Sequence, residues 1–228
     1  MKLINLCACL SALLLVLLLT IPLPLCADEA GLPYKNDFSV NREKDLTSGE
    51  KGIWAGGIGG GFRAGTHVLG IGIGGTRGVI ILGGEERHNL ALFSVSYGWM
   101  IGDVKGKDWY RGNWEIRGEL FGGAQMNSET DGIIGITPHI RYHFATGSPI
   151  VPYLDAGAGV AFTDIRAPDL GGTFQFNLQA SAGVNYFIRD AVAIHLEARY
   201  IHVSSASIHS PNNGINTIGV FMGVSTYF

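Results

Sequence analysis

The sequence is short of three things that mark common classes of soluble protein: cysteine, basic charge and long apolar runs. All three cysteines, Cys7, Cys9 and Cys26, lie in the first 27 residues, so a mature chain that starts near Asp28 has no thiol for disulfides, catalysis or metal binding. Lys and Arg number 16 against 19 Asp and Glu, which gives nucleic-acid binding no electrostatic support. After residue 27 no apolar run reaches about 20 residues, so the sequence predicts no transmembrane helix.

The N-terminus has the composition of a secretory signal peptide. Lys2 is followed by an apolar core at 10–19, and Ala27 is a small residue at a suitable cleavage point, so we expect a signal peptide over residues 1–27. Its removal takes one Lys and leaves 15 basic against 19 acidic residues, a net charge of −4. The alternative is a lipidated Cys26, although Leu25 before it is bulkier than lipoprotein processing usually accepts.

The next residues divide into a polar segment and a glycine-rich one. Residues 28–50 are polar and irregular, which predicts a mobile N-terminal segment before a domain over 51–228. Within 51–84, clusters such as Gly59-Gly60-Gly61 look like phosphate-binding loops, but such a loop needs an amphipathic helix after it and none follows. Glycines at tight bends of a barrel account for them better.

From residue 90 onward, apolar and polar residues alternate over runs of about 10 to 15 residues, longer than most strands of soluble sheets. The run 173–186 is the clearest, with Leu178 and Val184 on its apolar face and Gln179 and Asn185 on its polar face. In a membrane barrel the aromatic-rich apolar face meets lipid and the polar face fills the lumen. With Phe228 closing the last amphipathic strand, the pattern predicts an all-β fold, an antiparallel transmembrane β-barrel of the bacterial outer membrane.

Seven strands are expected after residue 88, and residues 51–84 can supply one to three more. Because such barrels normally have an even number of strands, we predict eight, with the first within 66–84, and ten as the alternative. A lumen of that size is filled by side chains. Ten ionisable residues are expected to meet there as paired charges: Glu115, Arg117, Glu119, His139, Arg141, His143, Asp155, His195, Glu197 and Arg199. A proton-handling or metal-binding lumen built from those histidines is the alternative.

Three polar residues fall on the apolar face of the last two strands. His202 and Ser204 are two apart, so their side chains lie about 6.6 Å apart on one face, and the imidazole can take the proton of the serine hydroxyl. If the hairpin pairs symmetrically about His209, Asn216 lies opposite His202 and can hold the second ring nitrogen. A tilted strand places this trio near the outer boundary of the hydrocarbon, about 28 Å from Phe228. Alternatively, they are ordinary polar residues where the strands leave the bilayer.

Several motifs of the sequence resemble the outer-membrane lipid A 3-O-deacylase family, and the final hairpin is the most specific of them. The motifs are Gly112-Asn113-Trp114-Glu115, Arg141-Tyr142-His143-Phe144, Pro152-Tyr153-Leu154-Asp155, His202-Val203-Ser204 and Pro211-Asn212-Asn213-Gly214-Ile215-Asn216. The resemblance implies an eight-stranded barrel with a serine esterase site on its lipid-facing wall. That site would remove the acyl chain ester-linked at position 3 of lipid A in lipopolysaccharide, with Ser204 as nucleophile, His202 as base and no cofactor or metal.

The sequence departs from the family pattern at three positions near this site. Ser205 stands where an Asn usually contributes to oxyanion stabilisation, so its hydroxyl or backbone N–H is the substitute candidate. Asn216 stands where some members have Glu, and it can orient the imidazole but not balance its charge. Ser207 replaces a glycine. The rival expectation from another class is a non-catalytic small outer-membrane barrel with a role in envelope integrity or adhesion.

Overall fold

The computed structural model describes residues 64–126, 131–189 and 191–228. They form one closed antiparallel barrel in which each strand pairs with the next and the last pairs with the first. The strands are β1 (His67–Gly78), β2 (Leu90–Met100), β3 (Gly112–Gln125), β4 (Gly132–Phe144), β5 (Ile150–Thr163), β6 (Phe174–Arg189), β7 (Val192–Ser204) and β8 (Ile215–Tyr227).

The predicted count of eight strands is confirmed over the alternative of ten, and β1 lies within the predicted window of 66–84. The expected signal peptide at 1–27, the expected mobile segment at 28–50 and the glycine-rich residues 51–63 lie outside the described residues. The polarity pattern also predicts a short turn at 188–190, and this prediction is wrong by two residues, because β6 continues to Arg189. Among the residues with described structure, no helix is long and apolar enough to cross a membrane.

The period of two in the sequence becomes an apolar outer wall and a polar interior. On β6, Leu178 is 52% exposed while the next residue, Gln179, is 4% exposed, because successive side chains of a strand point to opposite faces. Aromatic residues are concentrated near both rims of the wall, as in the girdles of membrane barrels. One rim carries Tyr97, Trp99, Trp114, Tyr142 and Tyr186, and the other carries Phe162, Phe174, Phe176 and Tyr200.

Side chains fill the lumen in three layers. A layer of ionic residues lies between two apolar layers. Glu119, which is fully buried, binds both Arg117 and Arg199, and its Oε1 lies 2.5 Å from a guanidinium nitrogen of Arg199. His143 Nε2 lies 2.7 Å from Glu115 Oε2. The prediction that these charges meet in pairs is therefore confirmed, except that His195 lies 3.3 Å from the hydroxyl of Ser225 instead.

Neither the ionic layer nor the rest of the described chain contains a group of three or more His, Cys, Asp or Glu arranged to hold a metal ion. The apolar layer toward the longer loops includes Leu92, Phe121, Ile201 and Phe221. The layer toward the other rim includes Val68, Met100, Phe187 and Tyr227.

Both ends of the barrel sequence meet at one rim, which we call the terminal rim. There the backbone N–H of His67 donates to the carbonyl of Phe228 at 2.8 Å. The opposite rim, which we call the loop rim, carries the connections 79–89, 126–131, 164–173 and 205–214. Strand β7 ends and strand β8 begins at the loop rim, and the predicted trio lies there.

Candidate active site

The last two strands bring His202 and Asn216 face to face. Both residues project from the outer wall, and they are direct partners in the β7–β8 register. The hairpin thus pairs symmetrically about His209, which is the condition on which the predicted trio depends. Ser204 follows two residues after His202 on the same face of β7, at the point where the strand ends.

A chain of hydrogen bonds joins the three side chains. His202 Nδ1 lies 2.8 Å from Asn216 Oδ1, and His202 Nε2 lies 3.1 Å from the Ser204 hydroxyl. With the proton on Nδ1, the ring donates to Asn216 and its Nε2 accepts from Ser204. This arrangement leaves Nε2 free to take the serine proton.

The orientation of the Asn216 amide is set by a loop that packs over it. Its Nδ2 donates to the backbone carbonyl of Ile81 at 2.8 Å, so its oxygen is directed to the histidine ring. Its backbone carbonyl accepts from the N–H of Val79 at 2.8 Å. The side chain is only 2% exposed, which shields this end of the hydrogen-bond chain from solvent.

Tyr200 belongs to the same constellation, although the polarity pattern of the sequence indicates only that it lies on the apolar face. Its hydroxyl donates to Asn216 Oδ1 at 2.6 Å, so this oxygen accepts from both Tyr200 and His202. The sequence did contain a signal for it. Tyr200 precedes His202 by two residues on one face, and its register partner Ile218 is two residues from Asn216.

The outward side of the trio is open and apolar. His202 and Ser204 are half-buried, and their register partners on β6 are Leu178 and Phe176, which are 52% and 37% exposed. Beyond them the rings of Phe174 and Phe176 pack edge to face with centroids 5.3 Å apart. A molecule that reaches Ser204 from this side therefore meets apolar surface first.

A tight turn follows Ser204. The N–H of Ile208 donates to the carbonyl of Ser205 at 3.0 Å, and the two central residues, Ala206 and Ser207, have φ values of 50° and 67°. Type I′ turns require positive φ at both central positions. Because glycine adopts that conformation without steric cost, the geometry accounts for the family glycine that Ser207 replaces.

Ser205, the predicted oxyanion candidate, lies in the turn with its polar groups directed into the loop. Its backbone N–H donates to Asn212 Oδ1 at 2.7 Å, and its hydroxyl lies 2.9 Å from the same oxygen and 3.1 Å from the carbonyl of His209. The residue is 1% exposed. For Ser205 to stabilise an oxyanion, at least one of these hydrogen bonds has to open.

One buried carboxylate, Asp169, ties the loops at the site together. Its side chain accepts the backbone N–H groups of Glu85 and Glu86 at 2.6 and 3.0 Å, and His88 Nε2 lies 2.8 Å from it. Its backbone carbonyl accepts the N–H of Gly214 at 3.1 Å. Asp169 thus connects the loop 79–89, which holds Asn216, with the loop 205–214, which follows Ser204.

Gly214 leaves room for the imidazole. A Cβ added there would lie 2.9 Å from His202 Cε1, closer than carbon atoms pack, and the backbone has φ of +80°. Both the space and the conformation therefore require glycine at this position.

Two solved structures have the same fold. The crystal structure of the outer membrane enzyme PagL aligns with 67% of this chain and 97% of its own, with a TM-score of 0.50 and 19% sequence identity. The crystal structure of Neisserial surface protein A aligns with 72% of this chain and 99% of its own, with a TM-score of 0.53 and 20% identity. At this identity the likeness shows the fold, a barrel of the outer-membrane type.

The part of the sequence that matches known proteins includes the final hairpin. The lipid A deacylase PagL of Pseudomonas aeruginosa is 34% identical over 91 residues, which are 39% of this chain and 50% of the relative. The chain therefore spans about half the length of the curated relative that it matches. The model of the family "Lipid A 3-O-deacylase (PagL)" matches residues 91–225 of the 228, from β2 to β8. More than half of the chain matches that model, and the chain therefore belongs to the lipid A 3-O-deacylase (PagL) family.

Proposed function

We propose that the protein is a serine esterase that hydrolyses the 3-linked acyl ester of lipid A in the outer leaflet of the outer membrane. The observation that carries this proposal is the chain of hydrogen bonds from Asn216 through His202 to Ser204 on the outer wall. Membership of the deacylase family supports the substrate, and the apolar surroundings of Ser204 suit a lipid that arrives from the membrane.

In the first half of the reaction, the Ser204 oxygen attacks the carbonyl carbon of the ester while its proton passes to His202 Nε2. The tetrahedral intermediate collapses, the bond to the sugar oxygen breaks, and His202 returns the proton to that oxygen. Ser204 now carries the acyl chain as an ester. In the second half, His202 removes a proton from water, the resulting hydroxide attacks the acyl-enzyme, and the fatty acid leaves as Ser204 recovers its proton.

Asn216 and Tyr200 act on the histidine rather than on the substrate. Asn216 fixes the tautomer with the proton on Nδ1, and the Tyr200 hydroxyl holds the amide oxygen in place. No carboxylate of the described residues hydrogen-bonds to His202. The imidazolium is therefore stabilised by dipoles alone, and we expect a slower enzyme than one with a carboxylate at this position.

The backbone N–H groups of Ala206 and Ser207 are our candidates for the oxyanion site. They lie two and three residues after the nucleophile, in the turn that follows it, and neither N–H makes a hydrogen bond to any other described residue. Ser205 keeps the turn in shape through Asn212. Removal of one oxyanion donor typically costs about 3 to 4 kcal/mol of transition-state stabilisation, so the shape of this turn is important for the rate.

The location of the site at the loop rim sets the side from which the substrate comes. Outer-membrane barrels place their longer loops outside the cell, and the loop rim is opposite the joined ends of the barrel sequence. Lipid A in the outer leaflet can then diffuse laterally to Ser204 without leaving the membrane.

Mass spectrometry of lipid A from cells that express the protein tests the proposal. Wild type should remove one 3-linked acyl chain, Ser204→Ala should remove none, and the control Thr226→Ala, on the same outer wall at the terminal rim, should act like wild type. Heat-dependent gel mobility shows that each variant forms a barrel. If folded wild type leaves lipid A intact, the esterase proposal fails and the non-catalytic barrel with an envelope-integrity or adhesion role takes its place.

A further inference from the structure

Arg77 is a charged residue on the outer wall whose side chain takes no part in the described contacts of the barrel. Among the described strand residues that face outward, Arg77 is the only Arg, Lys, Asp or Glu above the terminal rim, and it is exposed. Its side chain makes no hydrogen bond or ion pair to any residue whose structure is described. A cation on the lipid-facing surface is costly at the bilayer midplane and costs little near the interface, so the depth of Arg77 matters.

Arg77 lies beside the catalytic hairpin. Its register partner on β8 is Ile218, two residues from Asn216. Diagonal neighbours of this kind have Cβ atoms about 7 to 8 Å apart, within reach of a long side chain. The guanidinium can therefore lie over the same patch of wall as Asn216 and His202.

The depth of Arg77 matches the polar boundary of the membrane. Ten residues separate it from His67 at the terminal rim, and on a strand tilted by about 45° they rise about 23 Å. The apolar band of such barrels is about 25 Å tall, so the side chain can extend its charge to the headgroup region.

Another arginine, at the loop rim, is bound within its own loop. Arg166 donates from Nη1 to the carbonyls of Thr163 and Gly172 at 2.7 and 3.0 Å, and from Nη2 to the hydroxyl of Thr173 at 2.8 Å. Arg77 is by contrast available for a ligand that comes from the membrane.

We propose that Arg77 binds a phosphate group of the same lipid molecule whose ester Ser204 attacks. The planar guanidinium donates two parallel hydrogen bonds to phosphate oxygens, which fixes the direction of the headgroup as well as holding it. Arg77 thus selects phosphorylated glycolipids and holds them on the wall beside the nucleophile. This inference rests on the proposed function, since it assigns a substrate contact to that site.

The test measures binding apart from catalysis. Protein with Ser204→Ala is placed in nanodiscs of phosphatidylcholine and titrated with a diacylated glucosamine 1-phosphate or with its dephosphorylated form. Adding Arg77→Gln should weaken binding of the phosphorylated probe by about tenfold and leave the other unchanged. Adding Arg189→Gln, an exposed arginine at the terminal rim, should change neither. Equal losses for both probes, or no loss, overturn the proposal.

Two further measurements separate the substrate phosphate from bulk headgroups and from the esterase itself. If the effect of Arg77→Gln depends on phosphatidylglycerol in the nanodisc even with the dephosphorylated probe, Arg77 binds the surrounding lipid and the proposal is wrong. With active protein, Arg77→Gln should raise KM for the phosphorylated probe and leave kcat unchanged. If wild type cleaves neither probe, the esterase proposal fails, while the binding comparison still decides the role of Arg77.

Discussion

The hydroxyl of Tyr200 donates a hydrogen bond of 2.6 Å to Asn216 Oδ1, the atom that also faces the His202 ring. Tyr200 and His202 are alternate residues of one strand, and Asn216 lies on the next. The strand spacing therefore assembles a series of four hydrogen-bonded side chains, in which the tyrosine supports a neutral amide. In order they are Tyr200, Asn216, His202 and Ser204. The amide is held on three sides, by Tyr200, by His202 and by the carbonyl of Ile81.

Replacing Tyr200 by phenylalanine should lower kcat by about fivefold without changing KM. The change removes one hydrogen bond, worth about 1 kcal/mol, from the amide that orients the base, while the ring that packs on the wall stays. Steady-state kinetics with a diacylated glucosamine probe measure both constants. The control is Tyr186→Phe on the same wall at the terminal rim. A change in KM alone would mean that Tyr200 contacts the substrate rather than Asn216.

Gly214→Ala should reduce kcat by about a hundredfold while the barrel still forms. The new methyl group would lie 2.9 Å from His202 Cε1 and force the ring away from Ser204, and misplacement of a catalytic group by about 1 Å has an effect of this size. The control is Gly75→Ala, where an added Cβ meets open space. Activity is compared after heat-dependent gel mobility confirms the barrel. Full activity of Gly214→Ala would show that the ring position is not critical.

The barrel could be predicted from the sequence because the alternation of apolar and polar residues recurs from strand to strand. From β2 onward the strands alternate in polarity over about ten residues or more, and the register of β7 and β8 follows from the spacing of His202, His209 and Asn216. Family membership and the barrel fold together place the protein in the bacterial outer membrane. The polarity pattern predicts the turn after β6 two residues too early, because the register shift at Phe187 and Arg189 leaves no mark in that pattern.

The site could be predicted only in part, since loops carry the rest. His202, Ser204 and Asn216 lie on strands, whose geometry is periodic, and the structure brings them together. The contacts of Asn216 with Ile81 and of Ser205 with Asn212 depend on loop conformations that have no period. Asp169, distant in sequence from both loops that it joins, could not be found by any spacing rule.

Asp169→Asn should loosen the loops over the site and lower acyl release. The carboxylate accepts from two backbone N–H groups and lies 2.8 Å from His88, whereas an amide nitrogen placed there would face donors instead. A charge-assisted hydrogen bond contributes about 1.5 to 3 kcal/mol, so local opening should become at least tenfold more frequent. Faster tryptic cleavage after Arg87 measures it.

The control for Asp169→Asn is Asp103→Asn at the terminal rim. Asp103 Oδ1 accepts the N–H of Ala64 at 3.0 Å. It should leave both the cleavage rate and acyl release as in wild type. If Asp169→Asn accelerates cleavage but leaves acyl release intact, the loops do not position Asn216.

Glu119→Gln should destabilise the barrel and spare the chemistry, because the residue is buried in the lumen while Ser204 lies on the outer wall. Glu119 is 0% exposed and pairs with Arg117 and Arg199, so the amide leaves two buried guanidinium groups short of a counter-charge. Breaking such a network costs about 3 to 5 kcal/mol. Urea unfolding in lipid vesicles measures the loss, with the exposed Glu86→Gln as control. Acyl release per folded molecule should equal that of wild type. A large fall in that rate would mean that the ionic layer sets the geometry of β7 at the site, because Arg199 is the direct neighbour of Tyr200 along that strand.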